Sequence, residues 1–225
     1  MAIVFDGTDD HIRVDNAGVI NYERNNPFSV CCWVKLDPNY TDWGKIIDKK
    51  DSSSNEGWDF TILGEGGGRK LRITLIGDAD HALSANSNPG LNLNQWYFVA
   101  VTYDGSSQGT GINMYIDGDN VGKTVDNDNL TIDISQDTIK ADIGGWSDKP
   151  GAWLKGSIDN LMVFGKELSH QEVKNLMWRR GIVDPDLDFY LEMSERFNTL
   201  YDRVNNQSCT VTGCVVSDSA PIGLR

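Results

Sequence analysis

The sequence predicts an all-β protein, a two-sheet antiparallel sandwich with one short capping helix. Three observations carry that expectation. Apolar and polar residues alternate with a period of two in several well-separated runs, as strands do when one face is buried. Turn signals punctuate the runs: glycine occurs 23 times and proline 6 times, and Asp104-Gly105 and Asp117-Gly118 are the strongest hairpin signals in the chain. Helical periodicity is confined to one stretch, Ser169–Arg180.

Taken in order, Ile3–Phe5 and His11–Val14 read as short strands around an acidic turn, Asp6-Gly7-Thr8-Asp9-Asp10. Phe28–Leu36 alternates cleanly and carries large residues on both faces, which predicts a central strand. Lys45–Asp48 and Trp58–Leu63 follow, separated by a polar loop. Gly64–Gly68 is a turn that returns Lys70–Ile76 as a hairpin partner, and Gly77–Gly90 is expected to be a long polar loop. Trp96–Tyr103 is a strong strand, Ile112–Ile116 pairs with it, and another short strand ends near Thr124. Thr138–Ile143 and Ile158–Phe164 bracket a loop that holds Trp146 and Trp153.

The helix begins with a capping box, because Ser169 and Glu172 are spaced to satisfy each other's free N–H groups. Val173, Leu176 and Met177 form its apolar stripe, Arg179 and Arg180 suit its C-terminal dipole, and Gly181 stands where a left-handed residue ends a helix. Beyond it, Phe189–Leu191, Leu200-Tyr201 and Thr210–Val216 read as short edge strands. The expected organisation is a domain over residues 1–181 and a C-terminal extension, 182–225, packed on it.

Composition narrows the function. A formal net charge of −13 excludes a nucleic-acid partner, which would need a lysine and arginine patch. No run approaches the length of a membrane span, so membrane insertion is not expected. The chain enters its first strand directly after Met1, without a basic and apolar leader. Synthesis in a cytoplasm is the expectation. Cys31 and Cys32 are strand neighbours that must face opposite ways; Cys209 and Cys214 could pair across a hairpin, with free thiols the default.

Several motifs together resemble one family. FDGTDDHIRV, PFSVCCWVKL, NQWYFVAVTYDG, MYIDGDNVG and DIGGWSDKPGAWLKGSIDNLMVFGKELSHQEVKNL are similar, in that order, to the laminin-G-like jelly roll of the concanavalin A-like lectin/glucanase superfamily. The resemblance spans residues 2–181. It implies two curved antiparallel sheets of six or seven strands. The tail, DLDFYLEMSERFNTLYDRVNNQSCTVTGCVV, looks like a segment that often precedes such domains.

The fold hosts enzymes, lectins and protein-docking modules, so function must come from a site. Glycosidases of the family place carboxylates at alternate positions of one strand. No such run exists here: Glu56 with Asp59, and Glu192 with Glu195, are spaced by three, so no catalytic residue is assigned. The resemblance implies a structural calcium ion held by Asp159, in the Gly-Ser-Ile-Asp motif, with Asp6 and the turn to Asp10. The alternative is that Asp159 accepts backbone N–H groups and the turn is merely solvated. Glycans stack on exposed aromatic faces beside polar groups, and Trp43, Trp58, Trp146 and Trp153, with Asn55 and Asp148, lie in or beside polar loops. They are the candidate ligand-binding residues, with packing as the competing role.

The resulting expectation is a non-catalytic recognition module: a virion surface protein, as capsid decoration or fibre-associated component, that binds a glycan or a capsid surface and forms homo-oligomers. Cell lysis would release it without an export signal. The alternatives are a lectin domain of a secreted or cell-surface protein, extracellular in location, and a polysaccharide-cleaving enzyme.

Overall fold

The computed structural model describes residues 1–134, 140–148, 151–178, 184–193, 199–218 and 221. Its strands are, in chain order, β1 (Ala2–Asp6), β2 (His11–Val14), β3 (Phe28–Leu36), β4 (Gly44–Lys50), β5 (Gly57–Ile62), β6 (Lys70–Ile76), β7 (Ala82–Gly90), β8 (Trp96–Tyr103), β9 (Ile112–Ile116), β10 (Asp119–Asn120), β11 (Lys123–Asp128), β12 (Ala141–Ile143), β13 (Lys155–Phe164), β14 (Leu187–Leu191), β15 (Thr199–Tyr201), β16 (Ser208–Thr212) and β17 (Val215–Ser217). One α-helix, α1 (His170–Leu176), follows β13.

Two antiparallel sheets result. One has eight strands in the order β10-β9-β8-β3-β13-β1-β17, with β14 also on β13. The other has nine, in the order β11-β7-β6-β5-β4-β12-β2-β16-β15. Among the described residues up to 181 the two sheets have six and seven strands, the numbers the resemblance implies, and the larger totals come from the tail. Residues after 184 contribute β14 and β17 to one sheet and β15 and β16 to the other. β16 is not an edge strand either, since it lies between β2 and β15.

One expectation is corrected at β7, which occupies most of the expected loop Gly77–Gly90. Ala82–Gly90 reads as loop because it is small and polar, yet it pairs with β6 and β11. Leu83 and Ala85 face the core, whereas Ser84 and Asn86 hydrogen-bond to Arg72 on the other side.

The alternation in β3 sets the two apolar layers. Val30, Cys32, Val34 and Leu36 enter the core between the sheets. Cys31 and Trp33 face the opposite way, into a smaller cluster that Leu168, Val173 and Leu176 of the helical segment cover. Burial pushes the Cys31 thiol, and the Cys32 thiol, well above the ordinary value. All four cysteines are free. The capping box of α1 is formed, with the Ser169 N–H donating to Glu172 Oε2 at 2.7 Å. The helix is shorter than its periodicity predicts, ending at Leu176. Arg179, Arg180, Gly181 and Glu195 lie outside the described residues, as does the expected boundary between residues 181 and 182.

β13 is the strand on which the eight-stranded sheet is hung. On one side it pairs with β3 along most of its length. On the other it pairs with β1 through Lys155–Ile158 and with β14 through Leu161–Phe164. Asp159 and Asn160 fall in the seam between those two partners. There the ladder to β3 bulges and Asn160 takes φ 51°, a left-handed conformation that asparagine tolerates. Asn160 Oδ1 accepts from Tyr190 Oη at 3.1 Å, tying β14 to the bulge.

Candidate functional site

Register, rather than spacing along any one strand, builds a polar row across one sheet. On the face of the nine-stranded sheet that points away from the core, residues directly opposite one another run Asn127, Ser84, Thr74, Asp59, Asp48, Asp142, Arg13, Thr210. Eight adjacent strands each contribute one polar residue, because the apolar neighbour in each strand is turned into the core.

The middle of this row is buried and ionic. Asp59 and Asp48 are each 2% exposed. Lys45 Nζ pairs with Asp59 and lies 3.0 Å from Asp48, and Lys50 Nζ is 2.5 Å from Asp59. Trp146 closes the cluster: its ring centroid is 5.4 Å from Lys45 Nζ and 5.0 Å from Lys50 Nζ, a double cation–π contact. Burial works against the charge on Asp59, but Lys45 and Lys50 outweigh it and hold this carboxyl below the usual range. Burial, with Asp59 alongside, wins at Asp48 and raises its carboxyl to about 6. Cβ atoms of directly opposed residues lie about 5 Å apart, which lets two opposed carboxyls reach the separation of about 5–5.5 Å used in retaining glycoside hydrolysis. Here both are committed to lysines beneath an indole and closed to a substrate.

The sign of the Asp48 shift gives a test. A carboxyl whose native value is raised stabilises the fold below its unfolded value, and the contribution is lost as pH rises through the native value. The stability of the wild type relative to Asp48→Asn is therefore expected to fall between pH 3.8 and about 6. Urea midpoints measured for both proteins across that window check this; a flat difference refutes it.

Next to the buried cluster, the loop 144–154 is fastened over the sheet. Arg13 Nε donates to Asp142 Oδ1 at 2.9 Å and its Nη2 to Asp142 Oδ2 at 3.1 Å. Nη2 also pairs with Asp148 at 2.8 Å and bonds to the Ser147 hydroxyl. Ser147 N–H and Oγ in turn donate to Asp142 Oδ2 at 3.0 and 2.6 Å. Asp142 and Asp148 together hold the Arg13 guanidinium well above its ordinary pKa. Gly144 and Gly145 explain the Gly-Gly-Trp sequence. A side chain on Gly144, at φ 84°, would strike the Phe5 ring, and one on Gly145 would lie 2.0 Å from the Trp153 ring. Trp153 thus packs against the loop at Gly145, with its centroid 5.9 Å from that of His11.

Of the expected ligand residues, Trp146, Asp148 and Trp153 gather at this loop. Asp148 is exposed, Trp153 half-buried, and Trp146 only 9% exposed, so its role is to cover Lys45 and Lys50. Trp43 is 45% exposed and stands beside the loop's end, where Lys45 N–H donates to Ala152 O at 3.0 Å. Trp58 is a correction. It is 1% exposed and its Nε1 donates to Ile20 O, because its place in β5 turns it into the core and no face remains for stacking. Asn55 closes the tight turn Asp51–Glu56 at φ 68°; its position is set by the hairpin.

The expected metal set also changes. Asp6, Asp9 and Asp10 have ligand atoms within 4.8 Å of one another, and burial raises the Asp10 carboxyl. This donor set suits a hard cation. Asp159 does not join it: Asp6 is registered on Lys155, four residues along β13, and Asp159 is fully buried in the seam described above. Sequence reasoning missed Arg13, Lys45, Asp48, Lys50 and Asp142, and weighed Asp59 only as a partner for Glu56. A signal was available for Arg13, Asp59 and Asp142, each a charged residue between two core residues of a strand.

Comparison with known proteins agrees with this architecture. The family model of the concanavalin A-like lectin/glucanases superfamily matches residues 6–174, and the chain belongs to that family. No curated protein matches the chain. Among solved structures, a Bacteroides ovatus protein provisionally assigned to carbohydrate binding shares 18% identity at a TM-score of 0.71, over 100% of this chain and 62% of its own. A heptameric SAP-like pentraxin from Limulus polyphemus shares 18% identity at 0.61, over 94% and 95%. The sialidase module CBM40 of Ruminococcus gnavus, bound to α2,3-sialyllactose, shares 10% identity at 0.60, over 78% and 95%. This chain thus spans less than two thirds of the Bacteroides ovatus protein. Among the described residues, no helix is long and apolar enough to cross a membrane.

Proposed function

We propose that this protein is a non-catalytic carbohydrate-recognition module whose ligand face is the open side of the nine-stranded sheet beside the loop 144–154. One observation carries the reading. That loop brings a partly exposed indole, Trp153, onto a surface where His11, Arg13 and Asp148 supply polar groups, while the carboxylates that could do chemistry are sealed beneath Trp146. Structural relatives described as carbohydrate-binding support it. A calcium ion on Asp6, Asp9 and Asp10 would brace the turn that leads directly into His11, and so stiffen the ligand face without taking part in any reaction.

A glycan array with the whole chain, run with calcium and with a chelator, tests this. Binding to at least one glycan is expected, lowered about tenfold or more by Trp153→Ala, with the chelator weakening it further. A blank array in both conditions overturns the reading. The second reading is docking to a protein surface, such as a virion capsid, or to further copies of the chain. What favours it is exposed apolar surface on the last strands: Val215 of β17 is 60% exposed and Tyr201 of β15 46%, both at sheet edges where another chain can pair. A blank array together with concentration-dependent sedimentation would move the assignment there.

A further inference from the structure

Among the described residues, helix α1, seven residues and about 10 Å long, covers only part of the outer face of the eight-stranded sheet. Past its C-terminal end a groove of ≈ 750 Å³ opens, within the usual size of a small-molecule site. Trp33, 6% exposed and edge-on to Phe98 at 5.6 Å, lies at its base. Trp96 flanks it, with Lys35 Nζ 5.5 Å from its ring centroid. Trp178, 63% exposed, stands on the helix side. Its chain neighbour Met177 is buried against Gly118, which anchors the backbone that presents this indole.

The remaining lining is polar. Asp117 takes φ 51° and Asn94 φ 57°, left-handed conformations that cost non-glycine residues energy and recur at binding sites. Both are pinned by backbone bonds, Asp117 N–H to Phe98 O at 2.7 Å and Asn94 N–H to Leu36 O at 2.8 Å. Asp117 Oδ1 accepts the Phe98 N–H at 2.9 Å, which fixes the carboxylate at the groove. Asn94 and Gln95 are exposed, and their side-chain amides make no hydrogen bond among the described residues.

We propose that this groove is a second saccharide-binding subsite, on the opposite sheet from the face assigned above and independent of it. Indole offers a flat apolar surface to the C–H face of a pyranose, and the amides and the carboxylate are placed to meet its hydroxyls. The Asp117 carboxylate at the groove, on a chain of net charge −13, favours a neutral over an anionic glycan.

The test is indole ¹H–¹⁵N spectroscopy of the whole chain, which contains 7 tryptophans. The probes are cellopentaose, maltopentaose and chitopentaose, and Trp178→Ala assigns the Trp178 signal. At least one probe is expected to shift that signal saturably, with affinity lowered about tenfold or more in Trp178→Ala. The Asn94→Ala variant is expected to weaken binding as well, and Trp153→Ala to leave this subsite unchanged. Absence of a Trp178 shift with all three probes overturns the proposal. So does binding that Trp153→Ala abolishes and Trp178→Ala spares, which would leave the nine-stranded face as the one ligand surface. A Trp178 shift driven by protein concentration without sugar also overturns it, since a second copy would then fill the groove.

Discussion

Asp59→Ala is expected to destabilise the protein by about 3–5 kcal/mol, measured as a lower urea midpoint at unchanged slope. The size follows from what remains behind. Lys45 and Lys50 share Asp59 in a cluster with almost no solvent access, and the truncated variant leaves two buried ammonium groups with Asp48 alone. A second signature separates this mechanism from simple loss of packing. Without Asp59, Asp48 becomes the only carboxylate between the two lysines, so its carboxyl falls from about 6 and the pH dependence described above disappears. Replacing the whole cluster by apolar residues of similar volume should cost far less than the single truncation. A loss under about 1 kcal/mol for Asp59→Ala would mean that water reaches the cluster and the loop 144–154 is not anchored there.

Trp58→Ala is the other large effect, about 3–5 kcal/mol, and it concerns stability rather than binding. Trp58 packs against Phe28 at 5.2 Å and Tyr22 at 6.1 Å, and Phe28 stacks on Tyr22 at 4.8 Å and meets Tyr103 edge-on at 5.7 Å. Removing the indole leaves a cavity in the middle of these rings and an Ile20 carbonyl without its donor. Thermal unfolding should show a lowered midpoint. Glycan affinity, measured at a temperature where the variant is folded, should match the wild type. An affinity loss with unchanged stability would reverse the placement of Trp58.

These two residues show what could be read from the chain and what could not. Phe28–Leu36, Lys70–Ile76, Trp96–Tyr103 and Ile112–Ile116 have in the structure the bounds that their alternation predicts, because each buries one face against the other sheet. The capping box of α1 was legible for a similar local reason. β7 was not: Ala82–Gly90 fills a crowded position with small residues and satisfies its polar ones on a neighbouring strand, so it lacks the apolar signature of a strand. The ionic row was invisible on different grounds. Asp59, Asp48 and Asp142 are far apart in sequence, and only the register of β5, β4 and β12 sets them side by side. Trp58 illustrates the converse, a residue whose polar neighbours Asn55 and Glu56 suggested a surface although strand parity turns it inward.

The place of β1 bears on how the protein is made. Among the described residues Ala2–Asp6 pairs with β13 and β17 alone, so its first partner begins at Lys155. At about 5–20 residues per second, a ribosome takes roughly 8–30 s to reach that partner and longer to reach Val215. Throughout that interval Ile3, Val4 and Phe5 are bare, a short apolar β-former that other nascent chains or a chaperone can seize. A circular permutant in which β1 is synthesised after β13 removes the wait. It should give a higher soluble yield at high expression rates, with the sheet order unchanged.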